Sequence, residues 1–426
     1  LNASFEIDRA LEIRKEIVEI NRTTIAVQEQ QPRPTQLLRD RSWSFWPLVP
    51  LYPYSQRPTL RQEVVKDTIW TFDQLQGILY VVVPIRMTVV KLEAGGLLVY
   101  APVAPTTECI RLVNELVAKH GPIKYIILPT ASGLEHKVFV GPFARRFPQA
   151  QVFIAPGQWS FPLNLPLKWL GFPANRTHIL PESSGKTPFA NDFDCAILGP
   201  IDLGLGSFTE VAFFHRRSRT LLVTDSLISI SENPPAIVQL DPYPLLFHAR
   251  NTAFDRLEDT EFNRRLGWQR ICLFALYFQP STLEQIPWRE TFRNAFTAPD
   301  RSRKAYLGLF PFKWKDNWQQ SFDLLRGDGG LLVAPILQNL ILNRAPKTTL
   351  DWVERITSWY FQQIIPSHFD SPIQSDPDRV KQAFSFLKER SPSPGNLSLT
   401  EEDVKFLKAI EANLISKGIM PPSVKI

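Results

Sequence analysis

The sequence predicts a layered α/β fold, and three observations carry that reading. Short β-rich runs alternate with helical spacing between Met87 and Ala155. A second β-rich stretch covers Phe193 to Thr224. The 426 residues are 44% hydrophobic and 21% charged, enough apolar side chain for a large core and too little charge to stay unfolded.

The elements follow in chain order. Residues 3–30 set Leu11, Ile13, Ile17, Val18 and Ile20 among charges, the pattern of an amphipathic helix. Pro32 to Pro58 encloses Trp43-Ser-Phe-Trp-Pro-Leu-Val-Pro-Leu-Tyr52, and proline at this density argues for an extended arm. Its rings would clamp the chain's own surface, a partner or a membrane surface. Met87–Leu92 and Leu97–Ala101 are expected strands joined by Glu93-Ala-Gly-Gly96, a hairpin signal. Glu108–His120 has helical spacing in Cys109, Leu112, Val113, Leu116 and Val117. Tyr125–Leu128 and Val152–Ala155 are expected strands flanking a helix over Val138–Phe147.

In the second stretch, Phe193–Leu198, Phe208–Phe214 and Thr220–Thr224 are expected strands, with Arg216-Arg-Ser-Arg219 as a tight turn. Residues 233–345 break the rhythm with prolines and tryptophans and read as an insertion or cap. Helical pieces are expected near Thr260–Phe278 and Ser321–Asn343. Leu350–Ile365 reads as a helix running into a strand that ends at Pro366-Ser-His368. Val380–Arg390 and Glu401–Lys417 are expected surface helices.

Several classes are excluded. Cys109, Cys195 and Cys272 cannot build a disulfide framework, and none has C-x-x-C spacing for a thiolate zinc site. The net charge, 48 − 42 = +6, is spread without a basic block, which argues against a nucleic-acid groove. No apolar run reaches the ~20 residues that span a bilayer. Ser184-Gly-Lys-Thr187 lacks the first glycine of a phosphate loop, since Leu180 stands there. Leu203-Gly-Leu-Gly206 is a weak dinucleotide signal, and no G-x-S-x-G elbow exists.

Four residues remain at apparent strand ends. Glu135 and His136 follow the strand at Tyr125–Leu128, Asp225 closes Leu221-Leu-Val-Thr, and His368 follows Ile364-Ile-Pro-Ser. If those ends lie together, two imidazoles and two carboxylates suit one Zn, Fe or Mn ion. Each has a plain structural alternative: helix start for Glu135 and His136, turn closure for Asp225, a backbone hydrogen bond for His368. His120, His215 and His248 are expected to be structural.

At these positions the chain resembles the metallo-β-lactamase superfamily, which carries T-H-x-H-x-D-H after a buried strand. Thr130 matches its threonine, Ala131 and Gly133 replace two histidines, Glu135 replaces the aspartate, and His136 is kept. Leu203 stands for the histidine before Gly206-Ser207, while Asp225 and His368 are kept. The resemblance implies an αββα sandwich with one metal site erased and the ligand set Glu135, His136, Asp225 and His368 retained for its neighbour. Trp43–Tyr52, Val83–Thr88, Pro129–Lys137 and Ala155–Phe161 further resemble an uncharacterised cyanobacterial and plant-plastid family, implying a cyanobacterial cytoplasm or plastid stroma.

The expected layout is an N-terminal helix and arm (1–60), the sandwich in two parts (61–232 and 346–370), the cap (233–345) and a helical C-terminal extension (371–426). Two functions are expected from it. One is a binding or accessory scaffold, a pseudo-enzyme for an unknown small molecule or protein. The other is a mononuclear metal-dependent hydrolase using Glu135, His136, Asp225 and His368.

Overall fold

The structure, a computed structural model, describes residues 34–43, 51–53, 55–131, 135–159, 164–256, 258–277, 280–388 and 399–424. The helix expected over residues 3–30 lies outside them.

Strands β1 (Leu51–Tyr52), β2 (Leu60–Val65), β3 (Ile69–Ile78), β4 (Val81–Lys91), β5 (Leu97–Tyr100), β6 (Ile123–Leu128), β7 (Gln151–Ile154) and β8 (Thr177–Ile179) form the first sheet. Its order is β1-β3-β4-β5-β6-β7-β8, with β2 on β3. Pairing is antiparallel as far as β5 and parallel from β5 to β8. Strands β9 (Phe193–Asp202), β10 (Ser207–His215) and β11 (Thr220–Val223) begin the second sheet. The chain then builds a separate ribbon, β12 (Leu283–Gln285) with β13 (Phe312–Trp314), before β14 (Gln363–Pro366) and β15 (Ile373–Gln374) complete the order β15-β14-β11-β10-β9.

Alternation along each strand sorts the side chains into three layers. Leu98 and Tyr100 of β5 meet Phe193, Val211, Phe213 and Leu222 of the other sheet, forming the layer between the sheets. Leu97 and Val99 face away, toward Cys109, Val113 and Leu116 of helix Thr107–His120 and Phe139 and Phe143 of helix Lys137–Arg146. On the far side, Ala196, Leu198, Ala212 and Phe214 pack on Trp268, Ile271 and Leu273 of helix Glu261–Tyr277 and on Trp352 and Ile356 of helix Pro346–Thr357. The layers run helix, sheet, sheet, helix: an αββα sandwich.

Local chemistry fixes the elements. Thr106 caps helix Thr107–His120 by accepting from the Cys109 amide at 3.2 Å. The β4–β5 hairpin turns on Gly95 and Gly96, both left-handed (φ 75° and 80°), and a Cβ on Gly96 would stand 2.8 Å from the Pro122 carbonyl.

Three differences from the sequence reading stand out. Pro34–Asp40 is helical, not extended, because Pro34 occupies the first helical position, where a missing N–H costs nothing. Strands β2 and β3 were not expected. β15 pairs with β14 inside the segment read as a helical extension.

Candidate functional site

The two sheets meet where β6 ends. Ala131 N–H donates to the Thr209 carbonyl at 3.2 Å and Val211 N–H to the Pro129 carbonyl at 2.8 Å, so the loop after β6 is stitched to β10. Parallel pairing of β11 with β14 sets Val223 opposite Pro366. Asp225 and His368 each lie two residues further on, so register alone brings them together. Their contact is His368 Nε2 to Asp225 Oδ1 at 3.2 Å. His136 joins them from the start of helix Lys137–Arg146, its ring centroid 6.1 Å from that of His368.

Both imidazoles are oriented from behind. His136 Nδ1–H donates to the Pro102 carbonyl and His368 Nδ1–H to the Pro84 carbonyl, each at 3.0 Å. This turns both Nε2 atoms inward. His136 Nε2 is buried with no hydrogen-bond partner among the described residues. Glu135 stands in the preceding turn, and residues 132–134, including Gly133, are not described.

The charges follow from burial and pairing. Burial alone would lower the His368 pKa, but the hydrogen bond and charge of Asp225, with Glu135 adding, raise it above the ordinary imidazole value. Asp225 is the mirror case: burial works upward, yet the His368 bond and charge hold its pKa below the usual carboxylate value. Burial, then the His368 charge, push His136 down to about 4, leaving it neutral at pH 7. Burial and then Asp225 raise the Glu135 pKa.

Two residues that the sequence reading passed over support the cluster. Glu210 of β10 is fully buried, and its carboxylate accepts from Thr224, Asp225 and Ser226 N–H at 2.9, 3.0 and 2.9 Å and from Ser226 Oγ at 2.7 Å. It therefore shapes the turn that carries Asp225. The signal was a lone acid in the apolar run Phe208–Phe214. Arg86 of β4 pairs with Asp73 at 2.7 Å and donates to the carbonyls of Pro366 (2.7 Å) and Phe369 (2.9 Å), bracketing His368.

Burial keeps the three thiols protonated at neutral pH. Cys109, Cys195 and Cys272 are buried and unpaired. Burial raises their thiols, to about 12 for Cys109 and about 11 for Cys195. His215 Nδ1 bonds Ser218 Oγ, and His248 Nε2 bonds the Leu79 carbonyl, as structural histidines would.

Would these groups hold a metal ion? The orphaned His136 Nε2 is a suitable donor, and the carbonyl-anchored Nδ1 atoms set the right tautomers. However, His368 Nε2 is taken up by Asp225 Oδ1 at 3.2 Å. Among the described residues no three His, Cys, Asp or Glu side chains are grouped to hold an ion. As arranged, the residues do not fit one. What the cluster offers is a paired imidazole and carboxylate beside a neutral, unsatisfied imidazole, with Asp225 about one-third exposed at 35%.

A family profile described as "Domain of unknown function (DUF4336)" matches residues 66–386. The chain belongs to the DUF4336 family. All four strand-end residues of this DUF4336 chain fall within the matched span, as do Glu210 and Arg86. Curated proteins return no match to it. Among solved structures, the DUF4336 chain is similar to a metallo-β-lactamase from Pontibacter korlensis at 10% identity and TM-score 0.36, over 78% of this chain and 100% of the other. DIM-1 metallo-β-lactamase exposed to ceftazidime gives 11% identity and TM-score 0.38, over 79% and 100%. A metal-soaked Flv1 flavodiiron core from Synechocystis sp. PCC6803 gives 10% identity and TM-score 0.40, over 87% and 72%.

Proposed function

We propose that the chain is a binding or accessory scaffold that keeps the αββα sandwich and has given up hydrolysis. The observation that carries this is the His368–Asp225 pair: at 3.2 Å, two groups that would serve a metal or a substrate satisfy each other. Ala131 and Leu203, which stand where the superfamily resemblance puts histidines, supply only apolar side chains. On this reading residues 233–345 are a cap on the two-part sandwich (61–232 and 346–370), and the arm at 32–58 contacts a protein or a small amphipathic ligand. The resemblance of Trp43–Tyr52 and Pro129–Lys137 to a plastid and cyanobacterial family supports a photosynthetic cell as its setting.

A second reading, a mononuclear metal hydrolase using Glu135, His136, Asp225 and His368, is favoured by one observation. His136 Nε2 is a buried donor atom without a partner. Burial without a hydrogen bond is costly, and an ion would relieve it.

Metal analysis separates the two. Protein purified without chelator and dialysed against Zn²⁺, Fe²⁺ or Mn²⁺ should hold no stoichiometric metal, and ester, thioester, lactone and phosphodiester substrates should not turn over. Stoichiometric metal that disappears in His136→Ala or His368→Ala, together with turnover of any of these substrates, would overturn the scaffold reading.

A further inference from the structure

Helix Trp288–Thr297 packs by its small residues and turns its rings to solvent. Its buried positions are Thr291 and Ala295. Thr291 Oγ1 lies 3.2 Å from the carbonyls of both Ile286 and Pro287, a local bond that closes the helix's own first turn. Trp288, Phe292 and Phe296 recur every fourth residue and are 63%, 52% and 75% exposed. A surface helix ordinarily points such residues at the core. Here they form one outward stripe, with the Trp288 and Phe292 ring centroids 5.9 Å apart.

Cations lie beside that stripe. Four-residue steps on a helix advance by about 40°, which puts Arg289 and Arg293 on the flank next to the rings. Both are exposed, as are Arg301, Arg303 and Lys304 in the following loop. From residue 288 to 304 five cations face two carboxylates, Glu290 and Asp300. Asp300 accepts from the Ser302 amide at 2.9 Å and keeps its charge, and Lys304 pairs with Asp241 at 3.6 Å, so the positive surplus rests on the four arginines. The next turn adds Leu307, 61% exposed in left-handed backbone (φ 59°), a conformation that leucine rarely adopts. Gly308 beside it lies against the backbone of Ala295, so this turn packs on the same helix.

We propose that this helix docks the protein on an anionic lipid surface. Trp288, Phe292 and Phe296 enter the acyl boundary, and Arg289, Arg293, Arg301 and Arg303 lie at the level of the phosphates. The rings stand on a convex helix rather than in a groove. A soft bilayer closes around such a surface, whereas a folded partner needs a matching cleft. The cations supply the charge that an anionic leaflet complements. Contact is peripheral, since no helix among the described residues is long and apolar enough to cross a membrane. The inference is independent of the strand-end cluster.

Co-flotation of the full chain with vesicles tests it. Vesicles in which about a third of the phosphatidylcholine is replaced by phosphatidylglycerol should carry the protein, while pure phosphatidylcholine vesicles should not; added salt should release it by screening. The triple variant Trp288→Ser, Phe292→Ser, Phe296→Ser and the double variant Arg289→Glu, Arg293→Glu should each weaken binding about tenfold or more. Circular dichroism and melting should stay unchanged, because the substituted positions are exposed. Trp169→Ser, at a ring 74% exposed outside this helix, should float like the parent. Failure of the parent to float with anionic vesicles, or flotation untouched by both helix variants, overturns the proposal. So does a dimer in light scattering that depends on the three rings while vesicles are ignored, which assigns the stripe to a second copy.

Discussion

His368 Nε2 meets Asp225 Oδ1 at 3.2 Å because two parallel strands, 143 residues apart in sequence where Thr220 meets Gln363, end in register. Replacing Asp225 with Asn removes the charge that lifts the imidazole. The His368 pKa should then fall, read by NMR titration of the ring carbons. The pair's two contributions have opposite pH limits. That of His368 is complete below about 6.5 and fades as pH rises through its raised folded value. That of Asp225 is complete above about 3.9 and fades as pH falls through its depressed one. The contact is therefore worth most in mildly acid solution.

Three other histidines pull the opposite way. Burial lowers the pKa of His136 and His215 to about 4 and that of His248 to about 3. Below about pH 6.5 the unfolded chain binds protons that these folded sites refuse, so stability falls with pH. Each group adds a slope of about 1.4 kcal/mol per pH unit until its folded pKa is reached. Urea unfolding from neutral pH downward should show the decline, and His248→Gln should flatten it by one group's share.

Arg86 ties the first sheet to the His368 turn. Arg86→Met leaves Asp73 without its partner and releases the Pro366 and Phe369 carbonyls. It should cost about 3 kcal/mol in denaturant unfolding, and Asp73→Leu in the same chain should recover part of that loss.

Glu210 gathers three backbone N–H groups and a hydroxyl around one carboxylate. Glu210→Gln turns an amide NH₂ toward those donors and should cost about 2 kcal/mol. Glu210→Ala strands all of them and should cost more. The His368 pKa should also shift in both, because the turn carrying Asp225 loses its anchor.

How much of this was legible in the sequence depends on polarity. The hairpin over Glu93–Gly96, the helix ending at His120 and strands β9 to β11 follow from apolar periodicity and turn residues. Strand β3 does not, because its core positions include Gln74. That side chain is fully buried, donates to Thr59 Oγ1 and the Ala104 carbonyl, and accepts from the Ala104 amide. A polar residue satisfied inside a sheet reads as loop when its partners are unseen. His136, Asp225 and His368 were legible as strand-end residues from the apolar runs before them, and their grouping as one ligand set was reinforced by a resemblance. Their mutual spacing depends on the β11–β14 register, which no local pattern encodes. Glu210 and Arg86 escaped for the same reason: each acts on backbone groups that are distant or lie in a different turn.

The parallel partnership of β11 with β14 also governs how the molecule comes off the ribosome. By the time Val223 is synthesised, every buried residue of the inter-sheet layer except Ile365 exists, but the edge it must offer to β14 stays bare while the whole of residues 233–345 emerges. At ~5–20 residues per second that is several seconds or more of waiting. A truncation that stops short of Gln363 leaves that edge of β11 open to another copy, and one that stops between Pro366 and Ile373 exposes the edge of β14 instead.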